Sequence, residues 1–134
     1  MMLKIEHIGI AVKDLNTSNE LFKKIFNQAH YKTEEVQSEG VSTSFFQIGE
    51  NKIELLEATN PDSPIAKFIE KKGEGIHHIA FDVADIRAEM KRLESEGFVL
   101  LNQEPKPGAD NKLVCFLHPK GTSGVLIELC QERL

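Results

Sequence analysis

The chain repeats itself, and the repeat decides what every other feature can mean. Residues 5–27, IEHIGIAVKDLNTSNELFKKIFN, align without a gap on residues 76–98, IHHIAFDVADIRAEMKRLESEGF. His7 falls on His78, Ile8 on Ile79, Val12 on Val83, Asp14 on Asp85, Leu15 on Ile86 and Phe22 on Leu93. Each copy alternates apolar residues as a strand does, reaches an aspartate suited to cap a helix, and then switches to helical spacing. Further strand signals follow each helix: VSTSFFQIG and NKIELLEA in the first copy, KLVCFLHPKG and SGVLIELCQ in the second. The pattern predicts a βαβββ module, twice. The segment NPDSPIAKFIEKKGEG joins the copies, and PIAKFIEKK fits a short helix that begins at proline. The expected architecture is α+β. It consists of one domain over residues 1–134, with a first module at about 3–59, a linker at 60–72 and a second module at about 73–132.

Composition limits the partners. The 134 residues are 40% hydrophobic and 28% charged, as in an ordinary globular protein, and carry a net charge of −5. No run of lysine and arginine is long enough to track phosphates along a nucleic acid, so nucleic acid is excluded as the main partner. The apolar runs fall short of the roughly 20 residues a membrane-spanning helix needs, and the N-terminus has no signal-peptide pattern, so a cytoplasmic location is expected. Cys115 and Cys130 are too far apart for a CxxC motif and read as reduced structural thiols. An anionic small ligand would need local positive groups, which Lys106, Lys112 and Lys120 near turn signals can supply.

His77 and His78 are adjacent, so on a strand they point to opposite faces and only one can serve a given site. His78 is the one that superposes on His7. His7 shares its face with Gly9 and Ala11, and His78 shares its face with Ala80, small neighbours that leave room for a cavity. Glu54 and Glu128 each interrupt a strand that otherwise looks buried, and KIELLE superposes on LIELCQ. A buried carboxylate is costly unless it is paired, hydrogen-bonded or bound to a metal. Two half-sites of one histidine and one glutamate, related by the repeat, therefore predict convergence of His7, Glu54, His78 and Glu128 on one divalent ion. His30, His77 and His118 have no such counterpart and read as strand or turn histidines, with His118 bordering the site.

The stretches EHIGIAVKDL, NKIELLEATNPDSPIAKFIEKKGEGIHHIAFDV and FLHPKGTSGVLIEL resemble the vicinal oxygen chelate (glyoxalase) superfamily. Within it, the linker and the last motif are similar to the methylmalonyl-CoA epimerase family. The resemblance covers essentially the whole chain. It implies paired βαβββ modules whose mixed sheet curls around a metal site, a homodimer, and interconversion of the two C2 epimers of an acyl-CoA thioester. It implies the same four ligands for one divalent metal ion per chain, cobalt first, with zinc, nickel or manganese as alternatives. Some members carry glutamine where Glu54 stands, and some carry a glutamate proposed as a base where this chain has Thr43. Glu128 and Glu54 are the expected acid/base residues, and Lys120 and Lys106 the expected contacts for the CoA phosphates. The competing readings are a glyoxalase I type lyase, an extradiol dioxygenase and a non-catalytic small-molecule-binding protein of the same fold.

Overall fold

The computed structural model describes residues 1–133, which form two compact units: residues 7–77, and residues 1–6 together with residues 78 onward. The division falls inside the first strand, β1 (Met2–Ala11), and inside β5 (Gly75–Val83).

The first unit takes β1 from His7, α1 (Leu15–Phe26), β2 (Lys32–Val36), β3 (Val41–Ile48), β4 (Asn51–Ala58) and α2 (Pro64–Lys72). Its strands lie in the order β2-β3-β4-β1, antiparallel except for the parallel β4–β1 pair. The second unit takes β5 from His78, α3 (Ile86–Ser95), β6 (Lys106–Pro107), β7 (Lys112–Leu117) and β8 (Ile127–Glu132). Its order is β5-β8-β7-β6, with β5–β8 parallel and the other pairs antiparallel. Each unit is thus a mixed sheet with βαβββ connectivity, and α2 forms at PIAKFIEKK as its proline and preceding Ser63 cap predict.

Strand parity sorts each sheet into two faces. In the first unit Ile10, Val12, Phe46, Ile53 and Leu55 pack against Leu15, Phe22 and Phe26, on the α1 side. Ala11, Val41 and Leu56 face the other way and meet Ile65, Phe68 and Ile69 of α2. In the second unit Val83, Cys115, Leu117 and Leu129 pack on Ile86, Met90 and Leu93 of α3, while Ala80, Val114, Phe116 and Cys130 cluster on the opposite face. Glu54 lies between Ile53 and Leu55, and Glu128 precedes Leu129. Both carboxylates therefore belong to the face turned away from α1 or α3. Both cysteines are free and buried; burial pushes the Cys115 thiol up to about 11 and raises that of Cys130 further.

The repeat extends to the way the helices are started. Asp14 Oδ1 accepts the amides of Asn16 and Thr17 at 3.0 and 3.4 Å, and Asp85 Oδ1 accepts that of Ala88 at 3.1 Å. A second acceptor reaches across from the last strand of each module. Glu57 Oε1 takes the Leu15 amide at 2.5 Å, and Gln131 Oε1 takes the Ile86 amide at 2.6 Å. Glu57 is three residues beyond Glu54 and Gln131 three beyond Glu128, so the strand that carries each glutamate also anchors the helix start in its own unit.

Candidate metal and substrate site

In the first unit His7 Nδ1 lies 3.1 Å from Glu54 Oε2, the two residues being 6% and 4% exposed. In the second, His78 Nε2 lies 3.1 Å from Glu128 Oε1, and both residues are 6% exposed. The backbone geometry behind the two pairs is the same. β4 runs parallel to β1 with Glu54 opposite Gly9, two residues past His7, and β8 runs parallel to β5 with Glu128 opposite Ala80, two residues past His78. A side chain no larger than a methyl at these positions lets the imidazole and the carboxylate meet across the parallel pair.

Each glutamate also faces an aromatic on its other neighbour: Phe45 opposite Glu54 and Phe116 opposite Glu128. A lysine from the edge strand sits over each ring, Lys32 Nζ at 4.6 Å from the Phe45 centroid and Lys106 Nζ at 5.9 Å from that of Phe116. The His78 ring stands edge-on to Phe116 at 6.0 Å. Each unit thus contains the series histidine, glutamate, phenylalanine, lysine.

Thr43 is 1% exposed and lies opposite Leu56, on the same face as Phe45 and Glu54. Lys106 adjoins Phe116, whereas Lys120 is exposed in a 3-10 turn after β7, where its amide donates to His118 Nδ1 at 3.1 Å. The other histidines have packing partners: His77 is edge-on to Phe68 at 5.0 Å and His30 is edge-on to Phe46 at 5.9 Å. Glu6 was not singled out from sequence, and Lys112 was named there only as a turn lysine that could meet an anionic ligand; both are buried. Glu6 is 3% exposed and Lys112 is 8% exposed, with Lys112 Nζ 4.0 Å from Glu6 Oε2. The repeat hides them, because it sets Glu6 against His77 and Lys112 against Val41. The one available signal was a lysine at the head of the apolar run KLVCFL.

A divalent ion fits the donors present. Imidazole nitrogen and carboxylate oxygen are the ligands that zinc-like ions take, and buried carboxylates beside histidines are costly to leave without a cation. This donor chemistry, with the mixed-sheet βαβββ units, defines a class. A family model for the glyoxalase/bleomycin resistance protein/dioxygenase superfamily matches residues 6–116, and the chain belongs to that superfamily. Its relatives there include methylmalonyl-CoA epimerases. The ethylmalonyl-CoA/methylmalonyl-CoA epimerase of Cereibacter sphaeroides is 40% identical over 133 residues, 98% of this chain and 99% of that protein. The mitochondrial methylmalonyl-CoA epimerase of Homo sapiens is 40% identical over 129 residues, 96% of this chain and 73% of that one. A variant of Streptomyces coelicolor methylmalonyl-CoA epimerase, solved in complex with 2-nitronate-propionyl-CoA, superposes with a TM-score of 0.96 at 35% identity, covering 100% of both chains.

Proposed function

We propose that this protein interconverts the two C2 epimers of methylmalonyl-CoA, using His7, Glu54, His78 and Glu128 as the ligands of one divalent ion. The observation that carries the reading is the duplicated buried histidine–glutamate pair, in a chain 40% identical to an epimerase over nearly the full length of both. The ion would supply Lewis acidity toward the carboxylate and thioester oxygens that flank C2.

The chain's own residues account for the proton. C2 lies between a thioester and a carboxylate, so its proton is acidic enough for a carboxylate base to remove, provided the resulting enolate charge is stabilised. Glu128 is the first acid/base group. Inversion needs a second group that returns a proton to the opposite face, and Glu54, its counterpart in the repeat, takes that role. Thr43 offers no carboxylate, and Glu54 is an ionisable residue on the same face of the same unit. Phe45 and Phe116 stand opposite Glu54 and Glu128 in the strand register, an apolar neighbour for each carboxylate. In this reading Lys106 and Lys120 take phosphates of the CoA, and the active species is a homodimer.

The test is turnover of (2S)-methylmalonyl-CoA beside the hemithioacetal of methylglyoxal and glutathione, with metal content measured on the same preparation. Conversion of the first substrate to an equilibrium mixture of epimers is expected. Action on the hemithioacetal alone would transfer the chain to glyoxalase chemistry, and a metal-free protein that binds an organic ligand without turnover would make it a binding module.

A further inference from the structure

Lys112 breaks the rule its strand otherwise keeps. Its counterpart in the first module, Val41, is part of an apolar cluster, whereas Lys112 places an ammonium at a position only 8% exposed. A buried ammonium loses most of its hydration and needs an anion in exchange. Glu6 supplies one at 4.0 Å, but that separation is coulombic and too long for a hydrogen bond, and among the described residues Lys112 Nζ donates none. The group therefore keeps its hydrogen-bonding capacity.

Its position is set by register. Lys112, Val114 and Phe116 alternate onto one face of β7, and Phe116 lies opposite Glu128 while Val114 lies opposite Cys130. Lys112 is thus on the face of the second unit that bears Glu128, away from α3. Lys106, opposite Val114, adds a second ammonium to that face, over the Phe116 ring. The three-residue turn that joins the two lysine strands holds Asp110 and Asn111 at φ 60° and 54°, and the Gly108 amide donates to the Lys112 carbonyl at 2.9 Å, so the lysines are held in register.

We propose that Lys112 donates to the carboxylate oxygen of the substrate that the ion would leave free, and so adds to the selection of malonyl-type thioesters over plain acyl thioesters, with Glu6 holding the ammonium until substrate arrives. The proposal rests on the epimerase reading and deepens it: the carboxylate at C2 is what separates methylmalonyl-CoA from the commoner acyl-CoA esters. A charge-assisted hydrogen bond to it strengthens binding without requiring any covalent step.

Malonyl-CoA and acetyl-CoA differ by that carboxylate, and their affinities for the metal-loaded protein, measured by calorimetry, test the assignment. Wild type should prefer malonyl-CoA. Lys112→Met should cut that preference by about tenfold to a hundredfold while leaving acetyl-CoA affinity in place, and Lys112→Arg should retain it. Glu6→Gln should tighten malonyl-CoA binding, because it removes the competing anion; a pair that served only to hold the fold would show no such gain. With methylmalonyl-CoA, Lys112→Met should raise KM more than it lowers kcat. An unchanged preference in Lys112→Met and Lys112→Gln overturns the proposal, as does equal loss of both ligands, or a Glu6→Gln variant that weakens malonyl-CoA as Lys112→Met does. If wild type with metal bound fails to turn over methylmalonyl-CoA, the epimerase reading falls, and the malonyl-to-acetyl ratio still decides for or against Lys112.

Discussion

Glu54 and Thr43 share one face of the β3–β4 pair, and the division of labour between them sets the sharpest expectation at the residue scale. If Glu54 both holds the metal and moves the second proton, Glu54→Gln should keep the ion, through its amide oxygen, and lose kcat by about 10²- to 10⁴-fold. Near-wild-type turnover in that variant would reduce Glu54 to a ligand. The adjacent histidines give a second test. His78 contacts Glu128 and His77 packs on Phe68, so His78→Ala should abolish stoichiometric metal binding and His77→Ala should not. Equal metal loss in both variants would refute the assignment. The repeat made these four residues legible before any coordinates, because a histidine and a glutamate each recurred at matching places in matching strands. Glu6 and Lys112 were not legible in this way. The repeat matches neither with a charged residue of the same kind, since Glu6 falls on His77 and Lys112 on Val41, and a buried pair formed between distant strands leaves no local pattern.

At the scale of elements, the strands that carry the glutamates also brace the helices, and this was hidden in the sequence. Aspartate caps are read from neighbours, but the acceptors for Leu15 and Ile86 come from Glu57 and Gln131, 42 and 45 residues away. Gln131→Ala and Asp85→Ala should each destabilise the protein by about 1 kcal/mol, read as a lower urea midpoint at unchanged slope. β6 was likewise faint, since it is two residues long and one of them is a proline. Gly40 marks another constraint. Its φ is +62°, and a Cβ there would lie 2.7 Å from Asn60 Nδ2 and 2.8 Å from Ser63 Cβ, at the cap of α2. Gly40→Ala should therefore cost at least about 1 kcal/mol in the same unfolding measurement, through backbone strain and displacement of the α2 cap. No loss of stability would show that the turn re-forms without it.

For the molecule as a whole, acid stability and proton traffic are the quantities to measure. Glu89 is 4% exposed, and its carboxyl is held down at about 2, first by the hydrogen bond from Arg92 and then by that from the Met1 amino group 2.6 Å away. A carboxyl whose value is depressed on folding stabilises the folded state in full above its unfolded value of 4.5 and loses that contribution as pH falls toward 2. Wild type should thus be more stable than Glu89→Gln at neutral pH, with the difference shrinking between about pH 4.5 and 2; a difference constant across that range would remove the charge from the explanation. Under the proposed function a carboxylate takes the C2 proton and a proton is returned on the opposite face. The direct measurement is epimerisation of (2S)-methylmalonyl-CoA by the metal-loaded protein in D₂O, followed by mass and NMR analysis of the product. Deuterium should appear at C2 of the (2R) epimer at the rate of turnover, and Glu128→Gln should suppress turnover and exchange together. Rapid epimerisation that leaves C2 fully protonated, or no reaction at all with metal bound, would contradict proton transfer by these carboxylates.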